Sequence, residues 1–504
     1  MASGLDGVLV RVLLLIFSFF GARGQVAGHR KKLQTSAYPV DIMFPSRISL
    51  FFAMLAALLA SVPYRTVALA AAPADVAPPA DPQITAALAE VSAQRIQANI
   101  EKLVSFQTRL TLSAQDPDSI KAGHGIGAAR EWIKAEFERY SRDCGGCLEV
   151  KTDSFTENPA DRIPKPTVLT NVYAVLKGTD PESAKRIVLV TGHYDSRNSD
   201  TFDATGIAPG ANDDGSGTAV SLECARVLSK LKFPATIIFL TVAGEEQGLN
   251  GSHHFAKMAK DQGWDIEAAL NNDIVGGDRS PQQNPGIVRI FSEGVPLAAT
   301  DAEVRRIRNL GGENDSASRQ LARYVAEIGR TYQTAAKPLI VFRLDRYLRG
   351  GDHISFNEQG YAAVRFTEYR EDYSHQHQNI RTENGIEYGD LLKFVNFDYV
   401  ANVARLNAAT LASLASAPAP PAKVRLQTKQ LENDSTLTWE AAPGAASYEV
   451  VWRDTASPEW EHAQAVGNVT RYTLPLSKDN VIFAVRAVDG AGHRSLAVVP
   501  QPER

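Results

Sequence analysis

The sequence predicts two folded parts of different class. Residues 84–415 read as a mixed, mostly parallel α/β sheet sandwiched by helices, and residues 423–504 as an all-β, immunoglobulin-like sandwich. Three observations carry this. The short apolar runs Arg186–Thr191 and Ala235–Val242 are continuous rather than alternating, as in strands covered on both faces. Segments with helical spacing alternate with those runs. Beyond residue 415 the helical patterns vanish, and strand-like segments separated by turn residues take over.

The chain of 504 residues opens with two apolar segments, 8–20 and 48–62. The second reads as a signal peptide beginning at Met43. Arg47 supplies positive charge, Leu50–Ala60 the apolar core, and Ala68-Leu69-Ala70 a cleavage site of the A-x-A type. Residues 1–72 are thus expected to be an upstream extension plus signal peptide, and the protein secreted or periplasmic. The apolar stretch is short for a bilayer span, so no stable span is expected after cleavage. Residues 73–83 are a Pro/Ala linker.

From Ile84 to Arg109 the residues Leu88, Val91, Ile96, Ile100 and Leu103 recur at helical spacing. Gly125–Ser141 is a second helix, with Ala128, Trp132, Ile133 and Phe137 on one face. Val150–Phe155 and Thr170–Lys177 alternate as strands do. Gly215–Leu231 is helical, and Ala268–Ile274 and Tyr361–Phe366 are further strand candidates. Residues 416–422 form a second Pro/Ala linker. Leu437–Trp439, Tyr448–Trp452, Arg471–Leu474 and Ile482–Val488 are the strands of the last part. Trp439, the Tyr-x-Val-x-Trp run and FAVRAVDGAGHRS make this part resemble a fibronectin type III domain. Contact with a surface or polymer would suit it, as would the role of a spacer.

A net charge of −4 without a basic patch excludes a nucleic-acid partner. Of 3 cysteines, Cys144 and Cys147 form a CGGC pair expected to close a local disulfide in an oxidising compartment. Cys224 lies in a helix as a small buried hydrophobe.

Chemistry-bearing residues gather at the ends of apolar runs. His193 and Asp195 follow the first buried strand, and Asp213-Asp214 opens the next helix. Glu245-Glu246 follows the second buried strand, Asp273 ends the third candidate, and His375 and His377 come later. Singly, each has an ordinary explanation: Asp213 or Asp214 could cap a helix, and Asp273 could sit in a turn. Together they lie where α/β sheets bind ligands. Adjacent carboxylates need a cation, a proton or water to offset their repulsion. Histidines with carboxylates suit zinc with an open position. Five candidate ligands allow two metals about 3.5–4 Å apart sharing one carboxylate.

GHYDS at 192–196, APGANDDGSG at 208–217, AGEEQGLNGS at 243–252 and NNDIVG at 271–276, in this order, resemble the co-catalytic zinc exopeptidases. That family includes bacterial leucyl aminopeptidase, carboxypeptidase Q and glutaminyl cyclase, and the resemblance covers about residues 90–412. It implies the zinc-exopeptidase fold and two Zn2+. His193 and Asp273 would bind one metal and Glu246 the other, with Asp213 bridging and Glu245 as general base toward a metal-activated water. Asp195 would orient His193. The family's last motif is His-Thr-x-x-Asp-Thr, and Ser374–Asn379 departs from it. His377 is favoured as the remaining ligand because Tyr-x-x-Gln-His recurs among members, with His375 as the alternative.

Asp352-His353 resembles the family's Asp-His-x-x-Phe segment and is expected in the pocket wall. His253 and His254 are expected to be structural. The charged stretch Ser292–Ala335 is expected at the pocket mouth. Arg343, Arg346 and Arg349 are either carboxylate contacts or a solvated face. The implied activity is that of an exported aminopeptidase acting on peptides with a free N-terminus; glutaminyl cyclase or dipeptidase chemistry is the alternative. A non-catalytic binding role would require lost ligands, yet His193, Asp213, Glu245 and Glu246 are all present. N-terminal sequencing of the exported protein should find a mature start just after Ala70. A start well before Val67 would refute the signal-peptide reading.

Overall fold

Val188, Leu189 and Val190 lie successively on one strand, and all three are completely buried. That is possible only if helices cover both faces of the sheet. The computed structural model describes residues 79–503. The upstream extension, the signal peptide and most of the first linker lie outside the described residues. Among the described residues, no helix is long and apolar enough to cross a membrane.

The first part holds eight main strands: β1 (Leu148–Glu157), β2 (Thr167–Leu176), β3 (Arg186–His193), β4 (Thr236–Val242), β5 (Asp265–Asn272), β6 (Ile287–Ser292), β7 (Lys337–Val341) and β8 (Ala363–Glu368). They form one sheet in the order β1-β2-β4-β3-β5-β8-β6-β7. The four central strands, β4, β3, β5 and β8, run parallel, whereas β1, β2 and the β6–β8 pairing are antiparallel. The sheet is therefore mixed, with its parallel strands in the middle.

Among the described residues ten α-helices accompany it: α1 (Pro82–Ala89), α2 (Ala93–Ser105), α3 (Pro117–Ala122), α4 (Gly125–Asp143), α5 (Gly215–Leu228), α6 (Asn250–Asp261), α7 (Asp301–Leu310), α8 (Ala317–Thr331), α9 (His353–Glu358) and α10 (Phe397–Ser416). The period of two along the strands sorts the core into two layers. Val188, Val190, Phe239 and Leu270 pack with α2, α4, α5, α8 and α10. Leu189, Ile238 and Leu240 pack with Phe255 of α6 and Phe356 of α9.

The stretch expected as one helix from Ile84 to Arg109 is two. Asp81 caps α1 with Pro82 at its first position, and Ser92 caps α2 by accepting from Arg95 N. A capping serine at an exit turn outweighs the apolar periodicity that runs across it. Ser292–Ala335 also differs from expectation: it forms α7 and α8, and α8 buries Leu321, Val325 and Ile328 against the sheet. No residue of that stretch lines the cleft described below. Nor is the second linker a free tether. Ala417 is 1% exposed, and Arg186 Nη2 donates to its carbonyl at 3.0 Å and to that of Leu414 at 3.2 Å.

After the small hairpin β9 (Arg381–Glu383) and β10 (Ile386–Tyr388) come β11 (Ala422–Gln427), β12 (Ser435–Glu440), β13 (Ser447–Asp454), β14 (His462–Gly467), β15 (Arg471–Leu474), β16 (Val481–Val488) and β17 (Gln501–Glu503). The sheets β15-β12-β11-β17 and β14-β13-β16 enclose Leu437, Trp439, Tyr448, Val450, Phe483 and Val485. This β part docks on α8 and the turn before it through ion pairs: Arg486 and Arg494 meet Glu327 at 2.6 and 2.9 Å, and Arg453 meets Asp315 at 2.7 Å.

One backbone approach positions the functional end of the sheet. A Cβ on Gly192 would sit 2.5 Å from Gly217 C, and a Cβ on Gly217 2.1 Å from Asn272 O. The first turn of α5 thereby rests against the ends of β3 and β5. Gly217→Ala should cost about 1–3 kcal/mol or more in denaturant unfolding, because the colliding partners are backbone. Gly490→Ala, with open space around its Cβ, should stay within about 0.5 kcal/mol of the parent.

Candidate metal centre

Strand ends determine where the acidic and imidazole groups point. His193 is the last residue of β3. Beyond β4, Gly244 at φ +76 turns the chain so that Glu245 and Glu246 follow. Asp273 follows β5, and the next residue, Ile274, has φ 57. A β-branched residue in the left-handed region costs about 1–3 kcal/mol and persists only where its surroundings over-determine it. Here Ile274 O accepts from Glu368 N at 2.8 Å and from Thr367 Oγ1 at 3.2 Å.

Asp213 and Asp214 divide two tasks. Asp214 caps α5, accepting from Gly217 N at 2.8 Å and from His193 N at 3.0 Å. Asp213 turns the other way. Its Oδ1 lies 3.1 Å from His193 Nε2 and its Oδ2 2.8 Å from His377 Nε2. One carboxylate thus presents an oxygen to each histidine. Glu246 Oε1 is 2.9 Å from His377 Nε2, and Asp273 Oδ1 is 3.8 Å from His193 Nε2.

The donor atoms form two groups, His193 with Glu245 and Asp273, and Asp213 with Glu246 and His377; within each, they lie within 4.8 Å of one another. His193, Asp213, Glu246 and Asp273 are buried, and Glu245 is partly so. His193 Nε2, Glu246 Oε1 and Asp273 Oδ1 are buried and make no hydrogen bond within the protein. Buried charged groups are paired or coordinate cations, and nitrogen and oxygen donors in these numbers suit zinc. The residues therefore fit a metal.

Electrostatics give the same account. Burial pushes the Glu245 carboxyl well above its usual range; His193 opposes this, and Asp273, Glu246 and Asp352 reinforce it. Burial pulls His193 down, but Glu245 and its contacts with Asp195, Asp213 and Asp273 carry it well above the usual imidazole value. Asp352, fully buried, is pushed up to about 7 chiefly by burial. The cluster carries more negative charge than its own cations offset.

His375 does not join it. Its Nδ1 lies 2.6 Å from Asp278 Oδ2, and its ring stacks on Phe394 at 3.5 Å. Of the two histidines that the sequence left open, His377 meets Asp213 and Glu246. Asp195 is completely buried; its carboxylate accepts from Glu245 N at 3.3 Å, Glu246 N at 3.2 Å and Thr111 Oγ1 at 2.9 Å. Its Oδ1 also lies 3.3 Å from His193 Nδ1. It orients other groups and does not face the cleft.

Asp352 and His353, expected in the pocket wall, are fully buried and do not line the cleft. His253 pairs with Glu358 at 3.1 Å, and His254 stacks on Phe155 at 3.9 Å. The cleft, about 710 Å3, has Arg162, Leu348, Arg349 and Tyr373 around the clustered acids. Arg346 also lines it but is tied to Asp345 and Glu371, while Arg343 lies over Tyr347 instead.

Several supporting residues escaped sequence reading. Asp390 accepts from Asn212 N at 2.8 Å and Asp213 N at 2.7 Å. Arg365, completely buried, reaches Asp273 Oδ2 at 3.0 Å and Asp345 Oδ2 at 3.1 Å. Arg109 donates to the carbonyls of Tyr194, Pro209 and Gly210. Arg197 contacts Glu246 and His377, and Gln376 donates to Asp213 Oδ2 at 3.0 Å. Arg197 directly follows the GHYDS motif, a signal that could have found it. The others lie far along the chain from the site groups they hold, or, like Gln376, between the two candidate histidines.

Residues 171–394 match the model of peptidase family M28. A protein of Pyrenophora teres f. teres described as a "probable zinc metalloprotease" is 47% identical over 431 residues, covering 84% of this chain and 88% of that one. A counterpart of the same description from Pyricularia oryzae is 46% identical over 435 residues, covering 84% and 85%. Among solved structures, the LapA aminopeptidase of Legionella pneumophila aligns with a TM-score of 0.45 and 21% identity over 66% of this chain and 74% of that one.

Arg365→Met should destabilise the protein by about 3–5 kcal/mol in denaturant unfolding, since it leaves Asp273 and Asp345 buried without their common cation. A loss below 1 kcal/mol would show that Asp273 is held by other groups.

Proposed function

The chain belongs to peptidase family M28 and is a hydrolase acting on peptide bonds, and from that premise we propose that it is an exported aminopeptidase carrying two zinc ions, which removes the N-terminal residue of peptides with a free N-terminus. One observation carries the reading. Two groups of three donors, His193–Glu245–Asp273 and Asp213–Glu246–His377, adjoin at the carboxyl ends of parallel strands. Their buried His193 Nε2, Glu246 Oε1 and Asp273 Oδ1 lack hydrogen bonds.

In this reading His193 and Asp273 would hold one zinc and Glu246 and His377 the other, with the Asp213 carboxylate set between the two histidines. Zinc bound by these residues would supply Lewis-acid polarisation of the scissile carbonyl and acidification of the attacking water. Glu245 would take a proton from the attacking water and pass it to the leaving amine, a role that its place beside the cluster allows. Asp195 fixes the Glu245–Glu246 backbone, so the base and the neighbouring ligand move as one unit.

The bond between Cys144 and Cys147 supports an oxidising compartment. The strand order of the C-terminal part supports a fibronectin type III-like module, suited to contact with a surface or polymer. Glutaminyl cyclisation on a single zinc is less well supported, because both groups of donors are complete.

The purified protein should contain two zinc ions per chain and hydrolyse aminoacyl-amides in a chelator-sensitive way. One zinc with no amide hydrolysis would defeat the proposal. Glu245→Gln should keep the metal while kcat falls about 10²–10⁴-fold, and undiminished turnover would remove Glu245 from the mechanism. His377→Ala should lose one zinc and His375→Ala none, as counted by plasma mass spectrometry.

A further inference from the structure

The two histidines of the centre are held in opposite ways. His193 directs Nδ1 at acceptors: the Asp195 carbonyl lies 3.2 Å away and Asp195 Oδ1 3.3 Å away. Nδ1 thus has acceptors for a ring proton while Nε2 faces the cluster, the usual arrangement for a metal-binding histidine. His377 has no such acceptor at Nδ1. Arg197 Nη2 lies 2.6 Å from that nitrogen, while Arg197 Nε donates to Glu246 Oε2 at 2.9 Å.

A guanidinium has five donors and no acceptor. With Arg197 in place, His377 Nδ1 meets only a donor, while Nε2 faces Asp213 Oδ2 and Glu246 Oε1. That is the nitrogen whose lone pair a metal would need. Arg197 also draws on the charge of Glu246, a second donor of the same group. Arg197 lines the cleft, its side chain 15% exposed, and its Nη1 donates to Asn198 O at 3.1 Å.

We propose that Arg197 makes the Asp213–Glu246–His377 position the weaker and more exchangeable of the two metal positions, because a metal loads there only when the guanidinium withdraws from His377 Nδ1. The His193–Asp273 position carries no such cost. Occupancy of the second position, and with it the complete centre, then follows the free zinc around the exported protein. The inference rests on the two-metal reading above and concerns the relative affinity of the positions.

Equilibrium dialysis of the full chain against a graded zinc buffer, with bound metal counted by plasma mass spectrometry, tests it. Wild type should fill in two steps separated by about 10–100-fold in free zinc, the range that a histidine's outer partner governs. His377→Ala should abolish the weaker step alone. Arg197→Gln, whose amide oxygen can accept from Nδ1–H, should shift the weaker step about tenfold or more toward lower zinc. Arg197→Met, which removes the donor without adding an acceptor, should fall between. A weaker step that stays unshifted in both variants, or a wild type that fills both positions in one step, overturns the proposal and leaves the two-metal reading intact. Absence of zinc uptake at any concentration overturns both.

Discussion

Negative charge buried at the ends of parallel strands is the constraint on which the rest of this structure depends. Asp213, Glu246 and Asp273 are almost wholly shielded from water, Glu245 stands beside them, and two imidazoles and two guanidinium groups share the space. Taking so many carboxylates out of water costs several kcal/mol each unless charge is returned to them. The protein returns part of it through Arg365 and Arg197. The remainder is what gives the cluster its capacity for protons or cations.

Holding such a cluster requires supports from distant parts of the chain. Asp195 ties the loop after β4 to the end of β3, Asp390 holds the backbone of Asp213, and Arg109 gathers three carbonyls from two loops. Each support ends in a group whose own partners are satisfied, so the geometry is stiff before any ligand arrives. Backbone features serve the same end. Gly192 and Gly217 allow a helix start to rest against two strand ends, and the left-handed Ile274 aims Asp273. The C-terminal β part stands apart from this machinery. It leans on α8 through ion pairs, and α8 lies at the far strands of the sheet.

What was legible in the sequence was whatever is local. Continuous apolar runs are a direct trace of burial on both faces, so β3 and β4 could be read, and with them the places where His193 and Glu245-Glu246 emerge. Motif order supplied Asp213 and Asp273. Residue type alone left the division of labour between Asp213 and Asp214 open, because both are good helix caps; the family resemblance pointed to Asp213, and the packing of α5 against β3 places Asp214 at the cap. The break between α1 and α2 was hidden for a related reason: the apolar spacing continues through Glu90–Ser92, and the capping serine is visible only as a hydrogen bond.

The sequence by itself determined the fold class, the strand ends that carry chemistry, and five of the six residues whose donor atoms converge. The first two follow from periodicity and from residue type, which are properties of neighbours along the chain; the five residues follow from the motifs that carry the family resemblance. Tertiary structure alone decided the rest. It brought His377 to Asp213 and Glu246 and sent His375 to Asp278 and Phe394. It turned Ser292–Ala335 into two helices, of which α8 is buried against the sheet, and it set Arg197 against the His377 imidazole. In each case the deciding interaction joins residues with no fixed separation in sequence, so its free energy exists only once the sheet has brought them together.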